Sequence, residues 1–355
     1  MRKDWKIKNF EDCLEKIKYT NKIKRKYFLE SGKFPIVSQE QEAINGYWNN
    51  PKDVFKIEKP VIIFGDHTQI LKYVDFDFVL GADGVKIIQP IDELYSKFFY
   101  YFLMGVNLKS LGYARHYRLL KEKLVLIPPI KEQKRIVSIL DEAFEKISKA
   151  KETSENNLKN AKEVFESYLQ SIFEKKGEAW EEKTLGEVIE IRNGRNQQAV
   201  LSKTGKYPVM GSAGNVMGHA TDYICEAGTT IIGRKGNISK PIFINERFWN
   251  VDTAFGFYPK NELDKKLVYY LCLTINFGKM NRGTTIPSLV KSELQTLQIS
   301  FPKSTKEQQS IVKKLDKLSV ETKKLEAIYQ QKLNDLEDLK KAILQKALNG
   351  ELTKD

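Results

Sequence analysis

The feature that most constrains this chain is a long amphipathic stretch, residues 131–176, which follows Pro128-Pro129 and contains no proline. Its apolar and small residues recur at steps of three and four, which places them on one stripe of a helix. The stripe, with Lys151 and Ser154 as its polar members, consists of Leu140, Phe144, Ile147, Lys151, Ser154, Leu158, Ala161, Phe165, Tyr168 and Ile172. At 1.5 Å per residue such a helix is about 69 Å long. This length predicts a spacer or half of a coiled coil rather than an ordinary globular helix.

The same stretch occurs twice. Lys131-Glu132-Gln133 returns as Lys306-Glu307-Gln308, 175 positions later, and at that offset Leu140-Asp141 corresponds to Leu315-Asp316. The blocks that precede the two copies also correspond, and each opens on a tryptophan. The sequence therefore predicts a tandem repeat of a globular block followed by a long helix. Two helices with one apolar stripe each are expected to bury those stripes against each other.

The repeat predicts four segments: a globular block at 1–130, a helix at 131–176, a second block at 177–304 and a second helix at 305–351. In the first block, apolar runs predict strands at Val61–Phe64, Phe76–Leu80 and Val85–Ile88, and an amphipathic helix at Asp92–Leu103. Residues 113–118 are basic and aromatic and are expected to form a loop. The frame is shared by both blocks whereas the loops differ, which favours one scaffold with two recognition surfaces.

The charge balance favours a polyanionic partner. Lysine and arginine number 59 against 46 acidic residues, a net charge of +13, and most of the excess lies in the globular blocks. The alternative is that the excess of lysine reflects only the coding composition of the genome and has no bearing on a partner. The three cysteines and three histidines are far apart, which argues against disulfides and a zinc site and fits a reducing cytoplasm. No apolar run is long enough to predict a membrane span.

The search for catalytic motifs gives little. Residues 228–235 resemble a phosphate-binding loop, but Arg234 stands where lysine is needed and Lys235 where a hydroxyl is needed. The following Pro241–Ile244 predicts a strand, not the helix that would hold a phosphate. Neither a GxGxxG nor an Asn-Pro-Pro-aromatic motif is present, so no methyl-donor site and no catalytic residue are predicted. A few polar residues of the first block could be imagined as an acid or metal cluster, but loop-capping and surface roles are favoured for them. These residues are Asp66, His67, Asp75, Asp77 and Asp83.

Basic residues interleaved with aromatics and amides give a better signal. Lysine and arginine suit phosphates and the guanine edge, and asparagine and glutamine suit the adenine edge. The candidates in the first block are Lys22, Lys24, Arg25, Lys26, Gln39, Gln41, Asn45, Tyr47, His67, Thr68, Arg115, His116 and Tyr117. The candidates in the second block are Arg192, Asn193, Arg195, Asn196, Ser212, Asn215, Arg234, Lys235, Asn237, Asn281, Arg282, Thr284 and Thr285. For any single member, a solvated surface side chain is an even alternative.

These residues resemble the specificity (S) subunit of type I restriction-modification systems, over essentially the whole chain. The most specific pieces are Pro128–Val137 and Leu344–Leu352, joined in the second block by Gly233–Asn237 and Phe248–Ala254. The resemblance implies an α+β fold: two α/β target recognition domains in tandem, separated by two long antiparallel coiled-coil helices. One departure is the linker Phe301–Thr305, which lacks the double proline and is one residue longer. A shifted start of the second helix is therefore an open alternative.

The resemblance also implies partners and cofactors. Such subunits bind double-stranded DNA at a bipartite site, one half per block, and dock two methyltransferase (M) subunits and the restriction (R) subunits. S-adenosylmethionine belongs to the M partner, and ATP and Mg²⁺ belong to the R partner. The S chain holds no cofactor and no metal and is not itself an enzyme. Two other readings stay open: a coiled-coil nucleic-acid-binding scaffold outside a restriction system, and a nuclease or fused methyltransferase.

Overall fold

The chain forms two compact units. The computed structural model describes residues 5–112, 114–260 and 263–352. Unit 1 comprises Met1–Ser154 and Gln331–Asp355, and unit 2 comprises Glu155–Gln330. Each unit therefore holds one globular block together with part of both long helices. The compact units group the chain differently from the linear segments predicted from sequence, because each helix is shared between them.

Unit 1 is a mixed α/β block. Its elements before the first long helix are β1 (Lys6–Asn9), β2 (Lys22–Lys24), β3 (Phe34–Val37), β4 (Gly46–Trp48), β5 (Val54–Phe55), β6 (Val61–Gly65), β7 (Leu71–Val74), β8 (Phe78–Ala82), β9 (Val85–Ile88), α1 (Ser96–Gly105), α2 (Tyr117–Lys121) and β10 (Leu124–Ile127). The strands predicted at 61–64 and 85–88 are confirmed. The predicted strand at 76–80 begins later because Asp77 caps a loop, its Oδ1 accepting from the Ile57 amide at 2.9 Å. Residues 117 and 118, predicted as loop, begin α2, and Tyr113 lies outside the described residues.

Three sheets make up this block. β1 and β10 pair as an antiparallel ribbon, β6 lies between β7 and β9, and β8 lies between β2 and β3, with β4 beyond β3 and β5 also paired to β8. β6 is buried along its whole length because its apolar run packs on both faces. The helix α1 covers one side through Phe98, Phe99 and Leu103, which are 0–2% exposed.

Unit 2 repeats this plan. The elements between the long helices are β11 (Trp180–Thr184), α4 (Leu185–Val188), β12 (Ile189–Asn193), β13 (Tyr207–Met210), β14 (Val216–Ala220), β15 (Thr229–Gly233), β16 (Ile242–Ile244), β17 (Trp249–Asn250), β18 (Ala254–Pro259), α5 (Lys265–Thr274), α6 (Lys291–Gln295) and β19 (Gln298–Pro302). Its sheets are the ribbon β11–β19, the order β12-β18-β15-β16 and the order β14-β13-β17. The stretch 228–235 is thus a buried strand followed by another strand, not a phosphate-binding loop.

The two long helices are α3 (Ile130–Glu174) and α7 (Thr305–Leu348). Both begin at equivalent positions of the repeat, so the different linker before α7 does not shift its start. In unit 1, Leu140 of α3 and Leu344 of α7 lie in one apolar core. In unit 2, Leu169 of α3 shares a core with Leu315 of α7. The beginning of each helix therefore packs with the end of the other, which is an antiparallel arrangement within each unit.

The predicted stripe is wrong at one member. Tyr168 is 39% exposed, and its neighbour Leu169, at 3%, is the buried residue. An α-helix has 3.6 residues per turn, so a strict 3.5-residue repeat drifts by about 20° per heptad. Over the length of α3 this drift moves the buried face by about one residue.

The repeated Lys-Glu-Gln motif joins each block to its helix. The buried Gln133 accepts from the Tyr95 amide at 2.7 Å and donates to the Pro128 and Glu93 carbonyls at 2.8 and 2.9 Å. Its counterpart, the buried Gln308, accepts from the Asp264 amide at 2.8 Å and donates to the Pro302 carbonyl at 2.9 Å. Each glutamine thereby fixes the start of a helix of the globular block, α1 or α5, to the start of a long helix, α3 or α7.

The repeated Leu-Asp motif makes a second joint. Asp141 pairs with Lys97 at 2.8 Å and accepts from the Tyr101 hydroxyl. Asp316 pairs with Lys266 at 2.7 Å and accepts from the Tyr270 hydroxyl at 2.7 Å. Burial and this hydrogen bond both raise the pKa of Tyr270. The residues that repeat most closely are thus those that hold block and helix together.

Candidate nucleic-acid interface

Three loops of unit 2 meet beside the ends of β12 and β15. The first is 194–196, after β12; the second is 234–237, after β15; the third is 281–289, before α6. The amide of Arg195 donates to the Asn250 carbonyl at 2.9 Å, and that of Arg234 donates to the Thr253 carbonyl at 2.8 Å. The second and third loops are joined directly, because the Leu289 amide donates to the Arg234 carbonyl at 2.9 Å. We call these three segments loop cluster 2.

Glycine makes this close approach possible. A Cβ placed on Gly194 would lie 1.7 Å from the Val251 carbonyl oxygen, and one on Gly283 would lie 1.8 Å from that of Ile286. No real side chain tolerates such distances, so a larger residue at either position must push the backbone apart. The glycines therefore let the loops pack against neighbouring backbone and present their other side chains outward.

The cations of loop cluster 2 differ in how far they are engaged. Among the residues that the structure describes, the exposed side chains of Arg195 and Lys235 have no carboxylate partner. Arg234 is exposed; among the residues that the structure describes, its guanidinium donates to the Asp252 carbonyl at 3.5 Å and lies over the Phe255 ring at 5.9 Å. These three groups are available to an anionic ligand without breaking an ion pair.

Two predicted arginines of unit 2 are already paired. Arg192 bonds Glu190 at 2.9 Å and the Ile224 carbonyl at 3.1 Å. The Nε of Arg282 donates to both carboxylate oxygens of Glu293 at 3.0 Å. Their hydrogen-bonding capacity is partly used within the fold, so their contribution to ligand binding is expected to be smaller.

Asparagines of loop cluster 2 shape the loops themselves. Asn281 Oδ1 accepts from the Gly283 and Ser288 amides, both at 2.8 Å, and closes the third loop. Asn196 Oδ1 accepts from the Gln198 amide at 2.9 Å. The remaining predicted members of this unit lie as follows: Asn193, Asn215, Thr284 and Thr285 are exposed, Ser212 and Asn237 are half-buried, and Ser212 and Asn215 belong to the hairpin between β13 and β14.

Unit 1 has a corresponding arrangement around Asp66, the residue after β6. The amide of Asp66 donates to the Gly84 carbonyl at 2.7 Å. Its carbonyl accepts from the His116 amide at 2.8 Å, and its Oδ1 accepts from the Tyr117 amide at 2.8 Å. The buried Asp66 is therefore a loop cap, as predicted, rather than an acid or a metal ligand. The loop after β6 and the loop before α2 are joined as their counterparts are in unit 2.

Gln39 brings a third loop into this arrangement. Its Oε1 accepts from the His67 amide at 3.2 Å, and its carbonyl accepts from the Thr68 hydroxyl at 2.7 Å. Arg115 is exposed and, within the described residues, has no carboxylate partner. We call the segments 38–41, 65–69, 83–86 and 114–117 loop cluster 1, and Arg115, Thr68 and the half-buried His67 face its surface side.

Two of the predicted DNA-contacting residues of unit 1, His116 and Tyr117, instead stabilise the fold. His116 is 1% exposed, its Nδ1 lies 3.0 Å from the Asp66 carbonyl, and its Nε2 accepts from the Leu111 amide at 3.0 Å. Both ring nitrogens are therefore used by the main chain. Tyr117 packs against Phe10 and Phe64, and burial raises its pKa to about 12. Sequence could not separate these two from Arg115, because only the start of α2 turns them inward.

A second polar surface of unit 1 surrounds β2 and the β3–β4 hairpin. Lys24, Arg25, Lys26 and Gln41 are exposed, whereas Asn45 and Tyr47 are half-buried. Arg25 pairs with Glu40 at 2.8 Å. Lys22 donates to the Val85 carbonyl at 3.1 Å, and burial followed by the nearby Lys86 lowers its pKa.

Sequence reasoning missed Lys72 and Lys86. Lys86 lies over the Tyr117 ring at 5.5 Å, and Lys72 is 7% exposed beneath the β3–β4 hairpin. A lysine at an inward position of a short, otherwise apolar strand was the available signal for Lys72. Across residues 5–112, 114–260 and 263–352, no group of three or more histidine, cysteine or acidic side chains could hold a metal ion. In the same residues no helix is both long and apolar enough to cross a bilayer.

Comparisons with known proteins agree with this architecture. The family model of the type I restriction modification DNA specificity domain matches residues 2–160 and 177–337. The type I restriction enzyme EcoDI specificity subunit of Escherichia coli is 27% identical over 179 residues, 50% of this chain and 39% of that protein. The EcoR124I/EcoR124II specificity subunit of Escherichia coli is 30% identical over 180 residues, 47% of this chain and 43% of that protein. The chain thus spans less than half the length of these curated relatives.

Solved structures share the fold at low sequence identity. A chain from a study of complex assembly and conformational transition of the type I R-M system has a TM-score of 0.78 at 16% identity, covering 99% of both chains. The HsdS subunit from Thermoanaerobacter tengcongensis has a TM-score of 0.56 at 16% identity, covering 99% of this chain and 98% of that chain. Since the family model matches most of the sequence as two tandem copies, the chain belongs to the family of type I restriction-modification DNA specificity subunits.

Proposed function

We propose that this chain reads a bipartite target in double-stranded DNA, with one half-site assigned to each unit. The observation that carries this proposal is the contrast between scaffold and loops. Loop clusters 1 and 2 follow equivalent strands, β6 and β15, and are joined by equivalent main-chain bonds. Yet their surface side chains differ, with Arg115 and Thr68 in one and Arg195, Arg234 and Lys235 in the other. Equivalent positions with unlike side chains are what two different DNA sequences require.

The chemistry of these side chains fits DNA. Arginine can donate two hydrogen bonds to the guanine edge in the major groove, and lysine contacts phosphates as a point charge. Arg234 and Lys235 are exposed on one loop, so one can face a base while the other faces the backbone. The aromatic ring of Phe255 beneath Arg234 limits where the guanidinium can go. Such restriction lowers the entropy lost when the side chain binds.

The rest of the proposed function concerns partners. The chain docks two M subunits, which use S-adenosylmethionine to methylate an adenine, and R subunits, which use ATP and Mg²⁺. It acts in the cytoplasm as the non-catalytic recognition subunit of that complex. Support comes from the family and from the structural relative, which was solved in a study of complex assembly of the type I R-M system. The methylated adenine must leave the helical stack to be reached.

Mapping methylated adenines tests this directly. The chain is co-expressed with its cognate M subunit in cells that lack other adenine methyltransferases, and modified positions are sequenced. We expect N6-methyladenine in a two-part motif with an unread spacer. Methylation in a single continuous motif would contradict two-unit reading. Methylation by this chain without an M subunit would contradict a non-catalytic role, and co-purification with RNA but no M subunit would favour the scaffold alternative.

The length of the helices gives a second test. Inserting one heptad in both α3 and α7 lengthens each helix by about 10.5 Å while preserving the apolar stripe. Three base pairs of duplex have nearly the same length. We expect the preferred spacer to lengthen while both half-sites stay as they were. An unchanged spacer would refute the role of the helices as a ruler.

A further inference from the structure

One residue in each unit lies at the same place beneath a hairpin. In unit 1 the strand β7 pairs with β6, and its register places Lys72 opposite Ile63. In unit 2 the strand β16 pairs with β15, and Ile242 lies opposite Ile231. Because β6 and β15 correspond through their final glycines, Gly65 and Gly233, Lys72 and Ile242 are equivalent positions. The next residues also correspond, since Tyr73 and Phe243 make matching ring contacts with α1 and α5.

Lys72 holds the hairpin between β3 and β4, residues 38–45, which we call hairpin 1. Its ammonium donates to the Asn45 Oδ1 at 2.9 Å and also to the Glu42 carbonyl. Asn45 Oδ1 accepts as well from the Ser38 amide at 2.8 Å, so one amide links both ends of the hairpin to β7. The side chain of Asn45 is thereby committed within the hairpin, whereas Gln39 and Gln41 remain as its candidate DNA contacts.

The ammonium of Lys72 is an unusual support because Lys72 is 7% exposed and, within the described part of the chain, its ammonium donates to oxygen atoms of neutral groups. Burial lowers its pKa to about 8, against the favourable field of the Glu40 and Glu42 carboxylates. A buried charge costs free energy unless its hydrogen bonds are made. Those bonds are made in only one placement of the hairpin, so the charge disfavours other placements.

Ile242 makes an apolar version of the same contact. The hairpin between β13 and β14, residues 211–215, carries Ser212 and Asn215, and we call it hairpin 2. Gly214 of this hairpin has a φ of +79°, and a Cβ there would lie 2.5 Å from Ile242 Cδ1. Hairpin 2 thus lies directly on the isoleucine, and a side chain at position 214 would collide with it. The same strand position supports both hairpins, once through hydrogen bonds and once through packing.

We propose that Lys72 and Ile242 are positioning residues, each fixing the hairpin above it and through that hairpin the half-site preference of its own unit. Neither residue contacts DNA itself. The inference rests on the proposed DNA-reading function, but the coupling between strand and hairpin can be measured without DNA. It also explains why two equivalent strands carry such different residues: each was matched to a different hairpin.

The experiment compares Lys72→Ala with Ile242→Ala in the full chain, so that each variant is the control for the other. Hydrogen exchange is followed by mass spectrometry in peptides that cover hairpins 1 and 2, with core strand β6 as reference. We expect exchange in hairpin 1 to accelerate about tenfold in Lys72→Ala, the effect of losing about 1.4 kcal/mol of hydrogen bonding. Hairpin 2 should accelerate only in Ile242→Ala. Lys72→Arg, which keeps a buried donor, should recover part of the protection of hairpin 1.

Selection from a random DNA library, with the M subunit bound, then measures base preference in each half-site. We expect Lys72→Ala to relax one half-site and Ile242→Ala to relax the other. Exchange that is unchanged in the matching hairpin, or equal in both hairpins, would overturn the inference. So would altered exchange with both half-site preferences intact. If Ile242→Ala does not fold, Ile242→Val makes the same comparison. If even the wild-type chain selects no sequence, the proposed function fails, while the exchange data still decide whether the strand positions the hairpin.

Discussion

The buried glutamines of the repeated motif give a quantitative prediction about stability. Replacing Gln133 by leucine keeps the volume of the side chain but removes its three hydrogen bonds, to Tyr95, Pro128 and Glu93. Replacing Gln308 by leucine removes two, to Asp264 and Pro302. Each main-chain group left without a partner in a buried site costs about 1–3 kcal/mol. We therefore expect roughly 3–9 kcal/mol of destabilisation for Gln133→Leu and roughly 2–6 kcal/mol for Gln308→Leu.

The assay must resolve the two units separately. Urea unfolding gives the total loss, and hydrogen exchange of peptides from α1 and α5 assigns it to unit 1 or unit 2. The control is Gln170→Leu, an exposed glutamine of α3, which should change stability by less than about 0.5 kcal/mol. Equal losses of unfolding free energy for Gln133→Leu and Gln170→Leu would refute the role of Gln133 in joining the block to its helix. So would protection lost in α5 rather than α1 when Gln133 is replaced.

Three further outcomes are expected. Arg234→Ala should weaken DNA binding by about 1–3 kcal/mol and change the preference at one base. Arg282→Ala should weaken binding less, because the charge of Arg282 is engaged by Glu293. If Arg234→Ala weakens binding to all sequences equally and reduces the dependence of affinity on salt, Arg234 contacts only phosphate. The pKa of Lys72 is about 8 in the folded chain instead of 10.5. The unfolded chain therefore binds more protons in that interval, and the free energy of unfolding should rise by up to about 3 kcal/mol between pH 8 and 10.5; urea unfolding of Lys72→Met should lack that rise. Gly283→Ala should abolish base selection at the half-site of unit 2. The melting temperature of the variant should change little, because the added Cβ collides only with the loop that contains it. Retained selection would show that the close packing of this loop is not needed for DNA reading.

The scaffold of this protein was largely predictable from sequence because the sequence contains it as a tandem repeat. The offset of 175 residues aligns Gln133 with Gln308 and Asp141 with Asp316. The two glutamines each accept from the main chain just before a helix of their own block, and the two aspartates each pair with a lysine of that helix. Periodicity then predicted the long helices to within a few residues. The exact stripe was less predictable, since helical drift over many turns replaces Tyr168 with Leu169 in the core.

The loop surfaces were predictable only in kind. Composition identified basic and amide residues, but the direction of each side chain depends on turns that no periodicity records. His116 and Arg115 are neighbours in sequence, yet one is buried with both ring nitrogens bonded and the other is exposed. Lys72 was missed for the opposite reason, because a lysine in a strand is ordinarily read as facing solvent.

The repeat also separates two kinds of constraint within one chain. A residue that joins block to helix makes the same bond in both units, so its substitution is expected to reduce stability and to leave the preferred sequence alone. The surface side chains of loop clusters 1 and 2 differ between the units, so substitution of one of them is expected to act on one half-site only. Lys72 and Ile242 fall between these classes, because their position is shared while their chemistry is not. Exchanging a loop between the units should therefore transfer a preference only when the supporting strand residue is exchanged with it. A hairpin 1 graft placed over Ile242 would face an aliphatic side chain where its Asn45 amide meets an ammonium in unit 1.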